Sequence, residues 1–211
     1  MGVQLSDNLS AAYLVLLLEG TEDETILRPV LKQLSPLLGS AFDNMVLTID
    51  HLAGATNLGY KARLYKTLLC NVHAYVDDDA EGRHAIEAAE RSGSLLVSEY
   101  NVTSQKGMSD AEIEDLLDPA IYTDVIKQVF GVELQGRTFR NNKRKWSDRV
   151  RDCFRADGKV WNDKLESRVK KAVAEAAASA GKNGLKPSGL VSVQALVRQL
   201  EAKLEKVQQS R

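Results

Sequence analysis

The sequence predicts an α/β protein with a parallel sheet of about four strands, helices on its faces and an additional helical region. Two patterns predict this class. Up to about residue 120, short apolar runs alternate with helical segments, and beyond it helical segments dominate. Strands that alternate with helices of this length are typical of right-handed βαβ units. With 211 residues, 44% hydrophobic and 27% charged, the chain has a globular rather than a disordered composition.

The first predicted unit covers residues 13–35. Residues 13–18 form a continuous apolar run that ends at Glu19-Gly20, the pattern of a strand buried on both faces. Thr21 followed by three acidic residues is typical of an N-cap and a first helical turn. Apolar residues at helical spacing then continue to Leu34.

The same pattern of strand, turn and helix recurs twice. Residues 45–49 predict the second strand, with a turn at Gly54 and a helix through about residue 69. Residues 72–76 predict the third strand, followed by an acidic loop and a helix over about 83–92. In parallel sheets of this kind, ligands bind beyond the carboxyl ends of the strands.

The pattern is less regular beyond the third unit. A fourth short strand is predicted at 94–98. Four helices are predicted after residue 120, at 122–130, 145–154, 164–180 and 191–206. Strand-like pieces at 132–134 and 190–193 leave the number of strands after residue 125 open.

Acidic and basic residues are unevenly distributed along the chain. Residues 1–124 hold 20 of the 29 acidic residues and 8 of the 28 basic residues, whereas residues 125–211 hold 9 acidic and 20 basic residues. An acidic half can concentrate metal ligands, while a basic half attracts a polyanion. The distribution suits a metal-dependent enzyme that acts on nucleic acid. Solvated faces of opposite sign that attract each other within the fold are the alternative.

Neither the apolar runs nor the cysteines indicate export or a membrane. The longest apolar run near the start, residues 11–18, is far shorter than the roughly 20 residues of a membrane helix. No basic segment precedes it, as a secretory signal would require. Cys70 and Cys153 lie far apart without CxxC spacing, so we expect two buried thiols in a cytoplasmic protein.

Carboxylates follow two of the predicted strands. Glu19 follows the first strand, and Asp77 and Asp79 follow the third. Alternate residues of an extended segment point the same way, so Asp77 and Asp79 can face one ion while Asp78 points elsewhere. If the first and third strands are neighbours, Glu19 joins them at one sheet edge. Hard oxygen ligands so close together suit Mg²⁺ or Mn²⁺.

Each of these carboxylates also has a simpler interpretation. The acidic residues at 22–24 favour a helix N-terminus whether or not they touch a metal. The three aspartates at 77–79 are also common in a turn before a helix. Glu112 and Glu114 fit a solvated first helical turn nearly as well as a metal site. The combination of a strand ending in Glu-Gly with a later strand ending in three aspartates favours the metal site.

Four stretches in order along the chain carry a more specific signal. They are LEGTEDE (18–24), AGATN (53–57), AYVDDDAEGR (74–83) and EIEDLL (112–117). Together they resemble the successive motifs of the Toprim domain, in the version found at the C-terminus of OLD-family (overcoming lysogenization defect) nucleases. The resemblance covers about residues 12–120 and implies a Toprim-like parallel sheet.

The resemblance implies a DNA endonuclease with a site for two divalent ions, Mg²⁺ or Mn²⁺. In that family, the glutamate after the first strand, an acidic residue one turn later, the DxD pair and a later acidic motif bind the metal. Carried onto this chain, these positions are Glu19, Asp23, Asp77, Asp79 and Glu112 or Glu114. A lysine near the end of the domain assists catalysis, for which Lys182 is the first choice and Lys186 the second.

The resemblance also predicts the organisation of the chain. Residues 1–120 are expected to form the Toprim catalytic core, residues 121–180 a basic helical insertion or lobe, and residues 181–211 a C-terminal segment and helix that return to the core. OLD proteins carry an N-terminal ABC-type ATPase, but nothing here fits the phosphate-binding pattern GxxxxGK[ST]. We therefore expect no ATP site and interpret the chain as the nuclease region alone, with the ATPase as a partner outside it.

The basic half supplies the expected DNA-binding segment. Within residues 137–151, seven basic residues accompany a single acid, Asp148. Such a density predicts phosphate contacts whose affinity falls steeply with salt. The predicted contacts are Arg137, Arg140, Lys143, Arg144, Lys145, Arg149 and Arg151. Trp146, at helical spacing from Val150, is expected to pack inward rather than stack on bases.

Other functions remain as alternatives to the nuclease. A HAD-like phosphatase also ends a strand in DxD, but Glu19 would then have no role. A stand-alone Toprim RNA-processing nuclease shares the mechanism, although the long helical region fits it less well. A Mg²⁺-binding regulatory or DNA-tethering module would bind the metal without cleaving a strand.

Overall fold

The computed structural model describes residues 12–141 and 143–209. In this part of the chain four strands form one parallel sheet in the order β2-β1-β3-β4. The strands are β1 (Leu14–Leu18), β2 (Leu47–His51), β3 (Asn71–Val76) and β4 (Tyr100–Val102). The predicted α/β class, a Toprim-like parallel sheet flanked by helices, is confirmed.

Helices cover both faces of the sheet and form the region beyond it. They are α1 (Thr21–Leu34), α2 (Pro36–Asp43), α3 (Leu58–Thr67), α4 (Ala80–Arg91), α5 (Thr123–Phe130), α6 (Gly136–Phe139), α7 (Trp146–Ala156), α8 (Asp163–Ala180) and α9 (Pro187–Gln209). Short 3₁₀ turns complete the described chain, among them Ile113–Leu116 and Gly181–Gly184. Within that chain, no helix is long and apolar enough to cross a membrane.

The central strand β1 is buried on both faces, as its apolar run predicts. Leu14, Leu16 and Leu18 face a core that α1, α2 and α9 cover, and Val15 and Leu17 face a second core under α3 and α4. A strand covered on both faces has no polar positions to alternate with, which explains its continuous apolar sequence.

The helical region packs directly on the sheet's first core. Helix α8 lies against α1, and its buried residues Val169 and Val173 belong to the same apolar cluster as Leu14 of β1. Trp146 is fully buried, as expected, and its indole N–H donates to the Tyr122 hydroxyl over 3.2 Å. The basic region is thereby held against the carboxyl edge of the sheet.

The prediction of a strand at 94–98 is wrong. Leu95 is buried, but Leu96 and Val97 are 58% and 74% exposed, and a 3₁₀ turn, Val97–Glu99, follows. The fourth strand begins at Tyr100, which pairs with Ala74 of β3. The apolar run therefore belongs to a loop that is held to the core by the buried Leu95, and its residues do not pair with β3.

Four smaller differences concern one helix, two strand-like pieces and one helix cap. Helix α2 was not predicted. Its start nevertheless carries two typical features: Ser35 accepts a hydrogen bond from the Leu38 N–H, and Pro36 occupies the first turn. Residues 190–193 lie inside α9, and residues 132–134 form no strand. The cap of α1 is Gly20 rather than Thr21. Both cysteines are buried free thiols, as expected.

Candidate functional site

The carboxyl ends of β1 and β3 meet because these strands are neighbours in parallel register, with Leu17 paired to Ala74. Glu19 and Asp77, the residues that follow, are brought into direct contact. An Oε1 atom of Glu19 accepts a hydrogen bond from the Asp77 N–H at 3.0 Å. The condition on which the predicted site depended, that the first and third strands are adjacent, is met.

The three consecutive aspartates have different surroundings. The carboxylate of Asp77 accepts from the Ile113 N–H at 3.1 Å, and that of Asp79 caps α4 by accepting from Gly82 N–H at 3.0 Å. The Asp78 side chain is partly exposed and pairs with Arg83 at 2.8 Å. Alternation along the segment therefore separates Asp78 from its neighbours, as predicted. A Cβ on Gly82 would lie 2.2 Å from the Asp77 carbonyl oxygen, so this approach requires glycine.

Asp23 approaches the same edge from the first turn of α1. Its carboxylate accepts from the Gly20 N–H at 2.9 Å, so it caps the helix on which it lies. Burial raises the pKa of Asp23, although this backbone hydrogen bond and Lys170 act against the shift. Its charge in turn raises the pKa values of Glu19 and Asp77.

Glu112 and Glu114 come from the 3₁₀ turn beside the third strand and are almost fully buried, at 4% and 1% exposure. Glu112 accepts from the Ser147 N–H at 2.8 Å and from its hydroxyl at 2.9 Å. The Oε2 atom of Glu114 is buried and has no hydrogen-bond partner. A buried carboxylate oxygen without a donor carries a desolvation cost that a cation could offset.

Two lysines lie among these carboxylates. The ammonium group of Lys145 is 3.0 Å from Asp79 and 3.2 Å from Glu112. That of Lys170, on α8, is 3.7 Å from Glu112 and 3.8 Å from Glu114. We call the six carboxylates and these two lysines the acidic cluster: Glu19, Asp23, Asp77, Asp79, Glu112, Glu114, Lys145 and Lys170.

Neither lysine at the carboxylates is one of the two catalytic candidates, Lys182 and Lys186, that the sequence analysis named. Lys182 is exposed in a 3₁₀ turn, where its N–H donates to Gln33 at 2.8 Å. Lys186 donates to the carbonyl oxygen of Asp115 rather than to a carboxylate. The helical spacing could have identified Lys170. It lies three and four residues before Val173 and Ala174, which are buried, so it is on the side of α8 that faces the protein.

Burial and mutual repulsion dominate the electrostatics of the acidic cluster. The pKa of Asp77 is raised well above its usual range by burial and by the charges of Asp23, Glu19, Glu112 and Glu114. Burial raises the pKa of Glu19 to about 7 and that of Glu114 to about 8, with neighbouring carboxylates adding to both. Burial acts the same way on Glu112, but the charges of Lys170 and Lys145 lower its pKa overall.

These shifts predict how the stability of the metal-free protein depends on pH. The pKa values of Glu19 and Glu114, about 7 and about 8, exceed the ordinary glutamate value of 4.5, so the folded state binds more protons than the unfolded state near neutral pH. Stability should therefore fall as pH rises through it. Between pH 6.5 and 8.5, thermal melts in EDTA should show a falling melting temperature, and 10 mM Mg²⁺ should flatten the curve. A curve that is flat or rising in EDTA would contradict these shifts.

Two of the seven basic residues predicted to contact phosphate, Arg149 and Lys145, are paired with acids inside the protein. Arg149 is buried at 6% exposure, pairs with the fully buried Asp115 and lies over the Phe139 ring. Lys145 is directed into the acidic cluster. Arg149 is therefore a structural residue, because its guanidinium is already fully engaged inside the protein.

Arg144 and Arg151 are partly exposed but are paired with acids of α7. Arg144 lies beside Asp152, and Arg151 beside Asp148 at 2.6 Å. Arg137, Arg140 and Lys143 are exposed. Local ion pairs, which the count of basic residues did not reveal, thus reduce the number of cations available to a polyanion.

The carboxylates of the acidic cluster are of the type that binds a hard divalent cation, but two lysines lie between them. In residues 12–141 and 143–209, no three Asp, Glu, His or Cys side chains converge closely enough to hold one ion as the side chains stand. Lys145 connects Asp79 with Glu112, and Lys170 connects Glu112 with Glu114. The unpartnered Oε2 atom of Glu114 and the raised pKa of Asp77 both indicate a need for more positive charge. Oxygen-only donors of this type favour Mg²⁺ or Mn²⁺.

Fold and site together define an α/β protein with a buried carboxylate cluster at the carboxyl edge of a parallel sheet. Two solved structures share this fold over nearly their whole length. The C-terminal region of the Xanthomonas campestris pv. campestris OLD protein matches with a TM-score of 0.51 and 16% identity, covering 97% of this chain and 100% of that chain. The C-terminal region of the Burkholderia pseudomallei OLD protein matches with a TM-score of 0.52 and 15% identity, covering 90% and 98%.

The chain therefore has the fold of OLD C-terminal regions, and the resemblance seen in its motifs is confirmed at the level of the fold. No protein-family model and no curated protein sequence matches the chain.

Proposed function

We propose that this chain is a divalent-metal-dependent DNA endonuclease, the nuclease region of an OLD-family protein whose ABC-type ATPase is its expected partner. The observation that carries the proposal is the grouping of six carboxylates around the ends of β1 and β3, beside the partly buried Lys170. The likeness of the fold to OLD C-terminal regions supports the same family. The chemistry rests on the site itself.

The carboxylates are suited to hold two divalent ions. Asp77 would be one of their ligands, since its carboxylate experiences the charges of four other carboxylates. Two bound ions would activate a water on one side of the scissile phosphate and stabilise the leaving oxygen on the other. The residues that would hold Mg²⁺ or Mn²⁺ are Glu19, Asp23, Asp77, Asp79, Glu112 and Glu114.

Lys170 supplies positive charge that does not depend on the metal. The charge of Glu114 is the main cause that raises the pKa of Lys170, so its ammonium group stays protonated at neutral pH. A fixed cation in a partly dehydrated site stabilises the negative charge that develops on the phosphate in the transition state. Lys170 therefore takes the role that the sequence assigned to Lys182.

Lys145 acts on the carboxylates in the absence of metal. Glu112 and Asp79 raise the pKa of Lys145 despite its burial, so the ammonium group neutralises both carboxylates. A divalent ion held by Asp79 and Glu112 together would take the place of this ammonium group as the partner of the two carboxylates.

The proposal is tested with supercoiled plasmid DNA incubated with Mg²⁺, with Mn²⁺ or with EDTA. We expect nicking or linearisation in either metal, none in EDTA, and products with 5′-phosphate and 3′-hydroxyl ends. Glu19→Gln should lose the activity, because it removes a ligand while keeping the side-chain volume. Retention of DNA without cleavage in either metal would contradict the nuclease and favour a binding or regulatory module.

A further inference from the structure

A groove separate from the basic segment lies between the end of β4 and the first turns of α9. Its volume is about 580 Å³, within the size range of ligand-binding sites. The groove is lined by main-chain and side-chain atoms of Asn101, Ser104, Lys106, Ser188, Ser192 and Arg198, among others. None of its lining residues is acidic.

The loop that lines the groove is hydrogen-bonded to the acidic cluster. Thr103, which precedes its first loop residue, donates from its hydroxyl to the Asp77 carboxylate over 3.4 Å. The next residue, Ser104, donates from its N–H to the Ser192 hydroxyl of α9 at 3.3 Å, which fixes the loop against the helix. Because Thr103 touches Asp77 and the next residue lines the groove, the groove lies beside the acidic cluster.

The basic side chains of the groove form no ion pair in the described part of the chain, unlike most of those in the basic segment. Lys106 and Arg198 are exposed, and neither forms an ion pair with any residue in the described part of the chain. Arg144, Arg151, Arg149 and Lys145 are all paired with acids. Free cations beside hydroxyl donors are the groups that contact phosphate and sugar oxygens in nucleic-acid complexes.

The N-terminus of α9 adds a weaker positive potential to the groove. The groove includes Ser188 and Ser192 from its first two turns, where unpaired backbone N–H groups give the helix a partial positive charge. Val191, 63% exposed at the groove, provides an apolar surface of the kind that a deoxyribose can cover.

We propose that this groove binds the phosphodiester backbone of the DNA strand next to the cleaved bond, with Lys106 and Arg198 as its phosphate contacts. The proposal rests on the function proposed above. It differs from the sequence-based expectation, which assigned the phosphate contacts to residues 137–151 alone. Because the contacts are to the backbone, the groove positions DNA without reading its sequence.

The test compares DNA affinity in two double variants that each remove two positive charges. Both are made in an Asp77→Asn background, so that DNA is bound without being cut. Lys106→Gln/Arg198→Gln removes the groove cations, and Arg63→Gln/Arg91→Gln removes two exposed cations from α3 and α4 on the opposite face of the sheet. Affinity for a labelled duplex is measured at several salt concentrations.

The groove variant should bind at least about 10-fold more weakly, and the slope of log K against log salt should become shallower by about 2, close to 0.9 per lost phosphate contact. The opposite-face variant should match its parent. Lys106→Arg should retain the affinity, because it preserves the charge. In the cleavage-competent protein, the groove changes should raise KM while leaving kcat almost unaltered.

Equal affinity and equal salt slope in the two double variants would overturn the groove proposal, while cleavage by the wild-type protein would leave the nuclease assignment standing. If the Asp77→Asn parent does not bind DNA and the wild-type protein does not cut it, both proposals are overturned. Melting temperatures near that of the parent confirm that the exposed substitutions leave the fold intact.

Discussion

Replacing Lys170 with methionine is expected to lower the cleavage rate at saturating DNA and metal by about 10²–10³-fold, the usual effect of removing one group that stabilises a transition-state charge. The ammonium group lies 3.7 Å from Glu112 and 3.8 Å from Glu114, so its removal also leaves two buried carboxylates without their common partner. The measurement is the single-turnover rate of plasmid nicking in Mn²⁺.

The neighbouring Lys171 provides a matched control. It lies on the same helix but is exposed, so Lys171→Met changes the charge by the same amount without touching the acidic cluster. Its cleavage rate should equal that of the wild-type protein, as should the rate of Lys182→Met. If Lys182→Met lost activity while Lys170→Met kept it, the assignment of the catalytic lysine from the structure would be wrong.

Replacing Arg149 with methionine is expected to reduce the free energy of unfolding by about 3–5 kcal/mol, the cost of breaking a buried ion pair by removing one partner. Asp115 is fully buried, and Arg149 is its ion-pair partner. The Arg149 guanidinium also donates to the carbonyl oxygens of Arg144 and Phe139, at 2.9 and 2.8 Å. Urea unfolding followed by circular dichroism measures the loss.

Arg151 serves as the comparison for Arg149. It is one-third exposed and pairs with Asp148 on the surface of α7, so Arg151→Met should cost no more than about 1 kcal/mol. The double variant Arg149→Met/Asp115→Asn should recover part of the loss, because it removes the unpaired charge. A fully stable Arg149→Met protein with weakened DNA affinity would restore the interpretation of Arg149 as a phosphate contact.

The two central strands, β1 and β3, were predictable because they are buried on both faces. A continuous apolar run such as residues 14–18 has few alternatives to a central parallel strand, and each run is followed by a helix with a clear start. The edge strand β4 was misplaced because only three residues pair, and the stronger apolar signal, at Leu95, belongs to a loop anchor. Short edge strands carry little pattern of their own.

The carboxylates of the site were predictable, whereas its lysines were not. Glu19 follows β1, and Asp77 and Asp79 follow β3. These strands are parallel neighbours, so the residues after them lie at the same edge of the sheet. Lys145 and Lys170 reach the same place from α7's cap and from α8, which depends on how the helical region packs on the sheet. No local pattern encodes that long-range packing.

Ion pairs that cross between segments explain the error in the basic region. The sequence shows seven basic residues within 137–151 but not that Asp79, Asp115 and Asp152 lie against three of them. Two of these acids are distant in sequence and one follows the segment directly. Charge density along a chain therefore overestimates the cations that remain available to a polyanion.

The most direct test of the central claim compares two adjacent aspartates in one cleavage assay. Asp77→Asn removes the buried carboxylate at the centre of the acidic cluster, and Asp78→Asn makes the same chemical change on a side chain that pairs with Arg83 at the surface. We expect Asp77→Asn to reduce Mg²⁺-dependent plasmid nicking to the level seen in EDTA, and Asp78→Asn to stay within about twofold of wild type, as is usual for a surface change. Equal activity of the two variants would contradict a metal-dependent nuclease centred on Asp77.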